Sequence, residues 1–182
     1  MTDIINKLPT NTPIWIRTTI LPGTSKKLSE ITGRKVHHMP EFLTERTYIE
    51  DFKWQPMVFT DDIELLKKIF PGKKHIDMTS AEAEMVKYAH NVFGALKVTY
   101  FNCIYDICKK EGLDYQKVRE GVLGSTYIND VHTQVPGPDG KYGYGGKCFP
   151  KDVDAFEKLY RDEPIGMLLN PVRVLNSIFR KG

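Results

Sequence analysis

The strongest constraint on the fold is a run of about thirty residues with helical periodicity, between Thr79 and Gly112. Thr79-Ser-Ala-Glu82 has the spacing of a capping box, and only Gly94 interrupts the stretch with a glycine or proline before Gly112. Apolar residues recur every three or four positions: Met85, Ala89, Val92, Leu96, Tyr100, Cys103 and Ile107. The pattern predicts one helix, and about 30 residues at 1.5 Å each span roughly 45 Å.

This helix carries a second apolar flank beside the first. Its members are Tyr88, Phe93, Phe101, Ile104, Tyr105 and Cys108. Because the rest of the chain is too short to cover both flanks, we expect the second one to meet another subunit. The sequence therefore predicts a homodimer built on the long helix.

Residues 1–78 alternate helix-like and strand-like stretches. Strands are predicted over residues 13–20, 34–39, 57–59 and 75–78. Helices are predicted to begin at Thr2, Thr24 and Thr60, with Thr2 and Thr24 as caps, and Gly33 is predicted to end the second. Alternation of this kind indicates parallel strands with crossover helices. After residue 79 the predicted elements are all helical, over residues 80–111, 113–123, 151–160 and 167–180, so the fold class is α/β followed by all-α.

Composition and charge narrow the classes of protein. Apolar residues make up 41% of the 182 residues and no apolar run reaches the roughly 20 that a membrane span needs. The net charge of +3, with scattered Lys and Glu, gives no electrostatic case for nucleic acid. Three cysteines without a CxxC pair predict neither disulfides nor a metal site, and the N-terminus has no signal-peptide pattern. We therefore expect a cytoplasmic protein.

The segment Gly143-Tyr-Gly-Gly-Lys-Cys-Phe-Pro-Lys-Asp152 is the part of the sequence most suited to chemistry. Cys148 follows three glycines that allow a ligand close approach, and it precedes a predicted helix whose N-terminus favours a thiolate. Lys147 and Lys151 favour the thiolate in the same way. A small buried cysteine beside a glycine-rich turn remains the alternative at this point. Cys103 and Cys108, on the long helix, are predicted to be core residues.

The same segment strongly resembles the GFGGxCFPKD signature of the UDP-glucose/GDP-mannose dehydrogenase family, and within it most closely the members that act on UDP-glucose. Three further segments resemble family motifs in order and spacing: Arg17-Thr-Thr-Ile-Leu-Pro-Gly-Thr24, Pro40-Glu-Phe-Leu-Thr-Glu45 with Ile49-Glu-Asp-Phe52, and Glu84-Met-Val-Lys-Tyr-Ala-His-Asn91. Four ordered motifs from about residue 10 to the end are far more specific than any one of them. The resemblance implies that residues 1–78 are the C-terminal portion of a Rossmann-like NAD-binding domain with a partial parallel sheet. It implies that residues 79–182 are a helical dimerisation domain carrying the cysteine loop.

The reaction that the resemblance implies is the oxidation of a nucleotide-sugar C6 alcohol to the carboxylate, UDP-glucose to UDP-glucuronate, with two NAD⁺ and one water. Cys148 would attack the intermediate aldehyde to form a thiohemiacetal, and water would cleave the later thioester. Lys87 and Asn91, four apart on one helix face, would hold the oxyanion, with Lys87 also handling a proton at C6. Asp152 would position the water and activate Lys87. Glu45 would act as general base through a water held by Thr19.

Binding residues follow from the same resemblance, which implies a nucleotide-sugar substrate, NAD as cofactor and no metal. The implied substrate-binding residues are Glu41, Phe42, Leu43, Lys87, Asn91, Tyr142, Gly143, Tyr144 and Gly145. The implied cofactor-binding residues are Thr19, Glu45, Cys148 and Lys151. Taken singly, Lys87, Asn91 and Glu45 are typical of solvated surfaces, and only the joint match favours the catalytic interpretation.

Two functions from different classes stay open on the sequence alone. No GxGxxG turn precedes residue 14, so if the protein is an enzyme, that half of the NAD site is expected either from a separate chain or from a segment lost upstream. The alternative is a non-catalytic dimerisation module that keeps the helix interface without turnover.

Overall fold

The computed structural model describes residues 1–43, 47–54 and 63–181 and divides into two compact units, residues 1–89 and 90–182. It is mostly helical, with one small parallel sheet of two strands in the described part. The predicted fold class, α/β followed by all-α, is confirmed. The predicted division into domains at residues 78 and 79 stays a prediction. The compact units are a different division, which falls inside the longest helix.

The first unit contains the sheet and the shorter helices. Its elements are α1 (Thr2–Lys7), β1 (Ile14–Ile16), α2 (Thr24–Thr32), β2 (Val36–His38), α3 (Tyr48–Trp54), α4 (Ile63–Ile69) and the first turns of α5 (Ser80–Lys110). The strands are parallel, with Ile14 opposite Val36. Ile14 and Val36 pack with Ile5 of α1 and Leu28 of α2, so both helices are fixed against the sheet by apolar burial.

Local signals in this unit are partly confirmed. Gly33 ends α2 in the left-handed conformation, φ 66°, as predicted. Thr24 is the first residue of α2 rather than its cap, since its hydroxyl donates to the Leu21 carbonyl oxygen at 2.6 Å. Thr2 likewise lies inside α1, after Met1 in the cap position. Both cap predictions are wrong by one residue.

The strand predicted over residues 75–78 is also wrong. This segment follows the turn at Gly72, leads directly into the capping box of α5 and pairs with neither described strand. The His75 ring instead lies 3.2 Å from the nearby Phe70 carbonyl oxygen. The predicted strand over residues 57–59 and the predicted helix start at Thr60 lie outside the described residues.

Helix α5 runs for 31 residues and its capping box is confirmed. The Thr79 N–H donates to Glu82 Oε2 at 2.7 Å, and the Glu82 N–H donates to Thr79 Oγ1 at 3.3 Å. The second unit then adds α6 (Tyr115–Leu123), α7 (Phe149–Leu159) and α8 (Pro164–Phe179). Asp114 caps α6 by accepting from the backbone N–H of Gln116 at 2.9 Å.

The second flank of α5 is covered by its own chain over most of its length, so the prediction that this flank is exposed is only partly correct. Phe101 and Cys108 are buried in a core with Tyr115 and Val135 of the same chain, and Tyr88 is buried as well. The reason is that α6 and the following loop fold back over this flank. Phe93 of this flank does stay exposed, together with Tyr100 and Ile107 of the first flank, and these three residues are spaced seven apart along one face. Among the described residues no helix combines the length and apolar composition needed to cross a bilayer.

Candidate active site

Cys148 occupies the N-cap position of α7 and its side chain is exposed. Phe149 and Pro150 form the first turn, where proline fits because its missing N–H has no helical partner. The exposure excludes the alternative of a buried core cysteine. By contrast, Cys108 is buried, and Cys103 is half-buried with a pKa raised by burial and by the nearby Asp106 carboxylate.

The glycine-rich turn before Cys148 is held by two asparagines. The Gly143 N–H donates to Asn102 Oδ1 at 2.9 Å. The Tyr144 N–H donates to Asn176 Oδ1 at 2.7 Å, and Asn176 Nδ2 donates back to the Tyr144 carbonyl oxygen at 3.1 Å. The turn is therefore tied to α5 and α8 through its backbone.

Two glycines of this turn lie very close to neighbouring side chains. Gly143 has φ 68°, and a Cβ there would lie 2.5 Å from Asn176 Oδ1. A Cβ at Gly145 would lie 2.6 Å from Arg180 Nη2, because the guanidinium packs on the turn while Arg180 Nη1 pairs with Asp139 at 2.7 Å. Gly143 is therefore favoured both by its backbone conformation and by its neighbours, whereas a side chain at Gly145 would require the Arg180 guanidinium to move.

The two tyrosines of the turn are packed into the protein. Tyr144 is buried, and burial raises the pKa of its phenol to about 12. The Tyr142 hydroxyl lies 3.4 Å from the Tyr105 hydroxyl. The substrate-binding roles of Tyr142, Gly143, Tyr144 and Gly145 stay predictions, and the backbone N–H groups of Gly143 and Tyr144 already have partners.

A buried amide and carboxylate lie one turn beyond the cysteine. Asn91 Nδ2 donates to Asp152 Oδ2 at 2.6 Å, and Lys151 Nζ donates to Asp152 Oδ1 at 2.5 Å. Asn91 and Asp152 are only 4% and 1% exposed, whereas Lys151 is exposed. Three of the predicted site residues are thus joined in one hydrogen-bonded group.

The first turn of α7 is fixed against α5 by an aromatic ring. The Phe149 ring lies so close to Gly94 that a Cβ there would be 2.6 Å from Phe149 Cζ. The His132 ring meets the same phenylalanine edge-on, with centroids 5.1 Å apart. This contact gives the single glycine of α5 a structural reason, since a larger residue would force the Phe149 ring to move.

In the first unit, Lys87 is buried beside the segment that follows β2. Its ammonium donates to the Glu41 carbonyl oxygen, lies 3.7 Å from Glu41 Oε1 and lies 5.2 Å from the centroid of the Phe42 ring. Glu41 Oε2 also accepts from the Leu43 N–H at 2.7 Å. The structure therefore brings together Lys87 and three predicted substrate-binding residues.

The first unit also contains Thr19 and a cavity beside Leu43. Thr19 is half-buried, three residues beyond the end of β1. Leu43 lines an apolar cavity of about 250 Å³ with Tyr48, Ile49 and Phe52. Glu45 lies outside the described residues. No group of three His, Cys, Asp or Glu side chains in the described ranges is arranged to hold a metal ion.

Sequence reasoning missed the fully buried carboxylate of Glu84. Its oxygens accept from the backbone N–H of Gly23 at 2.5 Å and of Ser25 at 2.8 Å, so it caps α2 from about sixty residues away. It also missed Asn102 and Asn176. Polar residues inside the apolar periodicity of α5 and α8 are the signal that would have indicated them.

The predicted site residues thus form two groups, one in each compact unit. Lys87 is with Glu41, Phe42 and Leu43, and Asn91 is with Asp152 and Lys151. Lys87 and Asn91 themselves are one turn apart on α5.

The family model and the relatives that match this chain are all nucleotide-sugar dehydrogenases. A family model described as "UDP-glucose/GDP-mannose dehydrogenase family, central domain" matches residues 81–177, just over half of the chain. GDP-mannose 6-dehydrogenase of Azotobacter vinelandii is 33% identical over 161 residues, covering 78% of this chain and 36% of that protein. UDP-glucose 6-dehydrogenase of Rickettsia prowazekii is 29% identical over 187 residues, covering 92% of this chain and 40% of that protein.

A solved structure is similar over nearly the same extent. The UDP-glucose dehydrogenase of the archaeon Pyrobaculum islandicum superposes with a TM-score of 0.77 at 31% identity, covering 90% of this chain and 40% of that one. The chain therefore spans about two fifths of the length of these relatives.

Proposed function

This chain belongs to the UDP-glucose/GDP-mannose dehydrogenase family, and on that premise we propose that it supplies the reacting groups for oxidation of a nucleotide-sugar C6 alcohol to the carboxylate. UDP-glucose, converted to UDP-glucuronate, is the substrate we favour. The observation that carries the proposal is the exposed thiol of Cys148 at the N-terminus of α7, four residues before a buried carboxylate. We further propose a cytoplasmic location.

The residues present fit part of an NAD site. Family members are NAD-dependent dehydrogenases, and NAD supplies the oxidising equivalents for both two-electron steps when it is bound. Thr19 lies beyond the carboxyl end of a parallel strand, which is the edge where dinucleotides bind in such sheets. We assign NAD contacts to Thr19, Glu45, Cys148 and Lys151.

Cys148 is the nucleophile of the proposed reaction. Its sulfur attacks the C6 aldehyde and forms a C–S bond, and the carbonyl oxygen takes a proton to give a thiohemiacetal. Breaking the C6–H bond then gives a thioester: the hydrogen would leave as a hydride, for which bound NAD would be the acceptor, and the hydroxyl proton would be released. Water then breaks the C–S bond, leaving the carboxylate and the thiol. A thiolate suits both halves because it attacks carbonyl carbons well and also leaves well.

Lys87 and Asn91 stabilise the oxygen that becomes negative during the attack. An ammonium and an amide N–H are suitable donors for an oxyanion, and burial strengthens both interactions. The Lys87 ammonium is held against Glu41, and Asn91 is held by Asp152, so neither has to be ordered when the substrate arrives. Lys87 also exchanges the proton of the C6 hydroxyl.

Thioester cleavage needs an oriented water molecule. We assign its orientation to Asp152 and its deprotonation to Glu45, through a water held by Thr19. Asp152 is suited to this because Lys151 and Asn91 each bind one of its oxygens and fix the plane of the carboxylate.

The test follows NADH and acid formation. The full chain is combined with a GxGxxG-bearing dinucleotide-binding segment of a relative, NAD, and either UDP-glucose or GDP-mannose. NADH and the sugar acid should form, and Cys148→Ser should lower acid formation roughly 10³-fold or more. Cys103→Ser, the matched control, should leave the rate unchanged. Acid formation by Cys148→Ser at the native rate would contradict the proposal, and so would no NADH when NAD is bound.

A homodimer through α5 is the second part of the proposal, and a dimerisation module without turnover is the second candidate function. Both are supported by the exposed apolar face of Phe93, Tyr100 and Ile107. Sedimentation should give a dimer at micromolar concentration, and Tyr100→Glu should give a folded monomer. A folded native monomer would contradict the dimer.

A further inference from the structure

Asn91 has a second partner that the proposed mechanism does not use. His90 Nδ1 lies 2.9 Å from Asn91 Oδ1, on the side of the amide away from Asp152. Neighbouring residues on a helix ordinarily point about 100° apart, so this contact requires specific rotamers of both side chains. His90, Asn91 and Asp152 form a continuous chain of hydrogen bonds within the second unit.

The direction of each bond follows from the chemistry of the groups. An ionised carboxylate only accepts, so Asp152 requires the NH₂ side of the Asn91 amide to face it. The amide oxygen is then turned toward His90, and an oxygen cannot donate. His90 Nδ1 must therefore carry a proton for the 2.9 Å contact to be a hydrogen bond.

We infer that His90 is a positioning residue for Asn91, held in the Nδ1–H form when neutral, and that it fixes the orientation of the amide. The purpose of this positioning rests on the proposed function, in which the Asn91 N–H group faces the developing oxyanion. With the oxygen side bound by His90 and one N–H bound by Asp152, the second N–H of Asn91 has a fixed direction. A reversed amide would place its oxygen against the Asp152 carboxylate, which is costly for two buried acceptors.

His90 itself is exposed, whereas Asn91 is 4% exposed. Substitution of His90 should therefore leave the fold intact, and its effect is measured on the buried side chain of Asn91. In water a neutral imidazole favours the Nε2–H form, so the Nδ1–H form at this position is a signature of the bond.

The experiment uses the full chain labelled with ¹⁵N. A long-range ¹H–¹⁵N correlation spectrum at about pH 8, where imidazole is mostly neutral, identifies the protonated nitrogen of each histidine. The His90 signals are assigned by their loss in His90→Gln. Protonated Nδ1 at His90, changing to protonated Nε2 in Asn91→Leu, is the expected result. Protonated Nε2 at His90 in the native chain would overturn the inference.

Exchange of the Asn91 side-chain amide hydrogens gives the second readout. His90→Leu should speed exchange roughly three- to tenfold, the effect of losing one hydrogen bond, and His90→Gln should restore it because glutamine can donate to Oδ1. Lys109→Leu, which replaces an exposed side chain at the far end of α5, should leave it unchanged. Equal exchange in the native chain and His90→Leu, or equal acceleration by Lys109→Leu, would overturn the inference. Neither readout requires NAD or turnover, so an inactive chain with the expected spectra would count against the proposed function alone.

Discussion

The two compact units hold their functional loops by different chemistry. In the first unit, the loop that leads into α2 is held by a charged group, the buried carboxylate of Glu84, which accepts from Gly23 and Ser25. In the second unit, the turn that leads to Cys148 is held by neutral amides, those of Asn102 and Asn176. Both arrangements use a side chain from a distant helix to bind loop backbone.

The difference follows from what each backbone segment presents. The start of a helix presents only N–H groups and a partial positive charge, so an anion satisfies it best. The turn at Tyr144 presents an N–H and a carbonyl oxygen together, and one asparagine side chain matches both. The local backbone thus determines whether the partner side chain is charged or neutral. Removing that side chain should lower the free energy of unfolding more where the side chain is ionised.

The largest effect is expected at Glu84. Glu84→Ala leaves one buried and one part-buried N–H group without an ionic acceptor, and we expect it to lower the free energy of unfolding by about 3–5 kcal/mol. Glu84→Gln keeps one acceptor oxygen and should cost about 2 kcal/mol. Urea denaturation measures both values.

The matched control for Glu84 is Glu82, two residues earlier on the same helix and exposed. Glu82→Gln weakens only the capping box and should cost less than about 1 kcal/mol. Equal losses for Glu82→Gln and Glu84→Gln would show that the buried carboxylate has no special role.

A smaller effect is expected at Asn176. Asn176→Ala removes both bonds to Tyr144 and should cost about 1–3 kcal/mol, because a buried N–H and carbonyl oxygen lose neutral partners. Denaturation under the same conditions as for Glu84 tests the comparison directly. A loss at Asn176 larger than that of Glu84→Ala would reverse the argument from charge.

The smallest expected change in the free energy of unfolding comes from protonation of His38 as the pH falls. Burial lowers the pKa of this imidazole below its ordinary value of 6.5, with the Lys87 ammonium acting in the same direction and Glu84 and the Thr18 carbonyl opposing. The unfolded chain then binds the proton more readily than the folded chain. The contribution of His38 to the free energy of unfolding is therefore fully present above pH 6.5. It is lost as the pH drops from 6.5 toward the lowered pKa.

His38→Asn removes this contribution, so the unfolding free energy should fall less steeply below pH 6.5 in the variant than in the native chain. Denaturation at a series of pH values measures both slopes. Parallel slopes would mean that His38 titrates alike in the folded and unfolded chains.

Much of the fold was predictable because its signals are local. The capping box at Thr79, the helical period of α5 and the left-handed glycine after α2 each depend on a few neighbouring residues. The strand over residues 75–78 was predicted wrongly because a short apolar pattern does not show whether a partner strand lies beside it. The prediction that the second flank of α5 is exposed was wrong for Phe101 and Cys108, because periodicity does not show which flank α6 covers.

The candidate site was predictable only to the extent that its motifs are contiguous. Cys148 and Asp152 are on one helical turn, and Lys87 and Asn91 are on another, so spacing placed each pair. The contacts of Glu84 with Gly23, and of Asn176 with Tyr144, join residues far apart in sequence, and only the tertiary fold brings them together.

The most direct test of the central claim, that Cys148 is the nucleophile, is competitive alkylation of the folded chain at neutral pH, followed by peptide mapping of the three thiols. Cys148 should be labelled first because its thiol is exposed at a helix N-terminus, and UDP-glucose or GDP-mannose should slow that labelling. Cys103 and Cys108 should react more slowly and without protection by either sugar nucleotide. Faster labelling of Cys103 or Cys108 than of Cys148 in the folded protein would contradict the assignment.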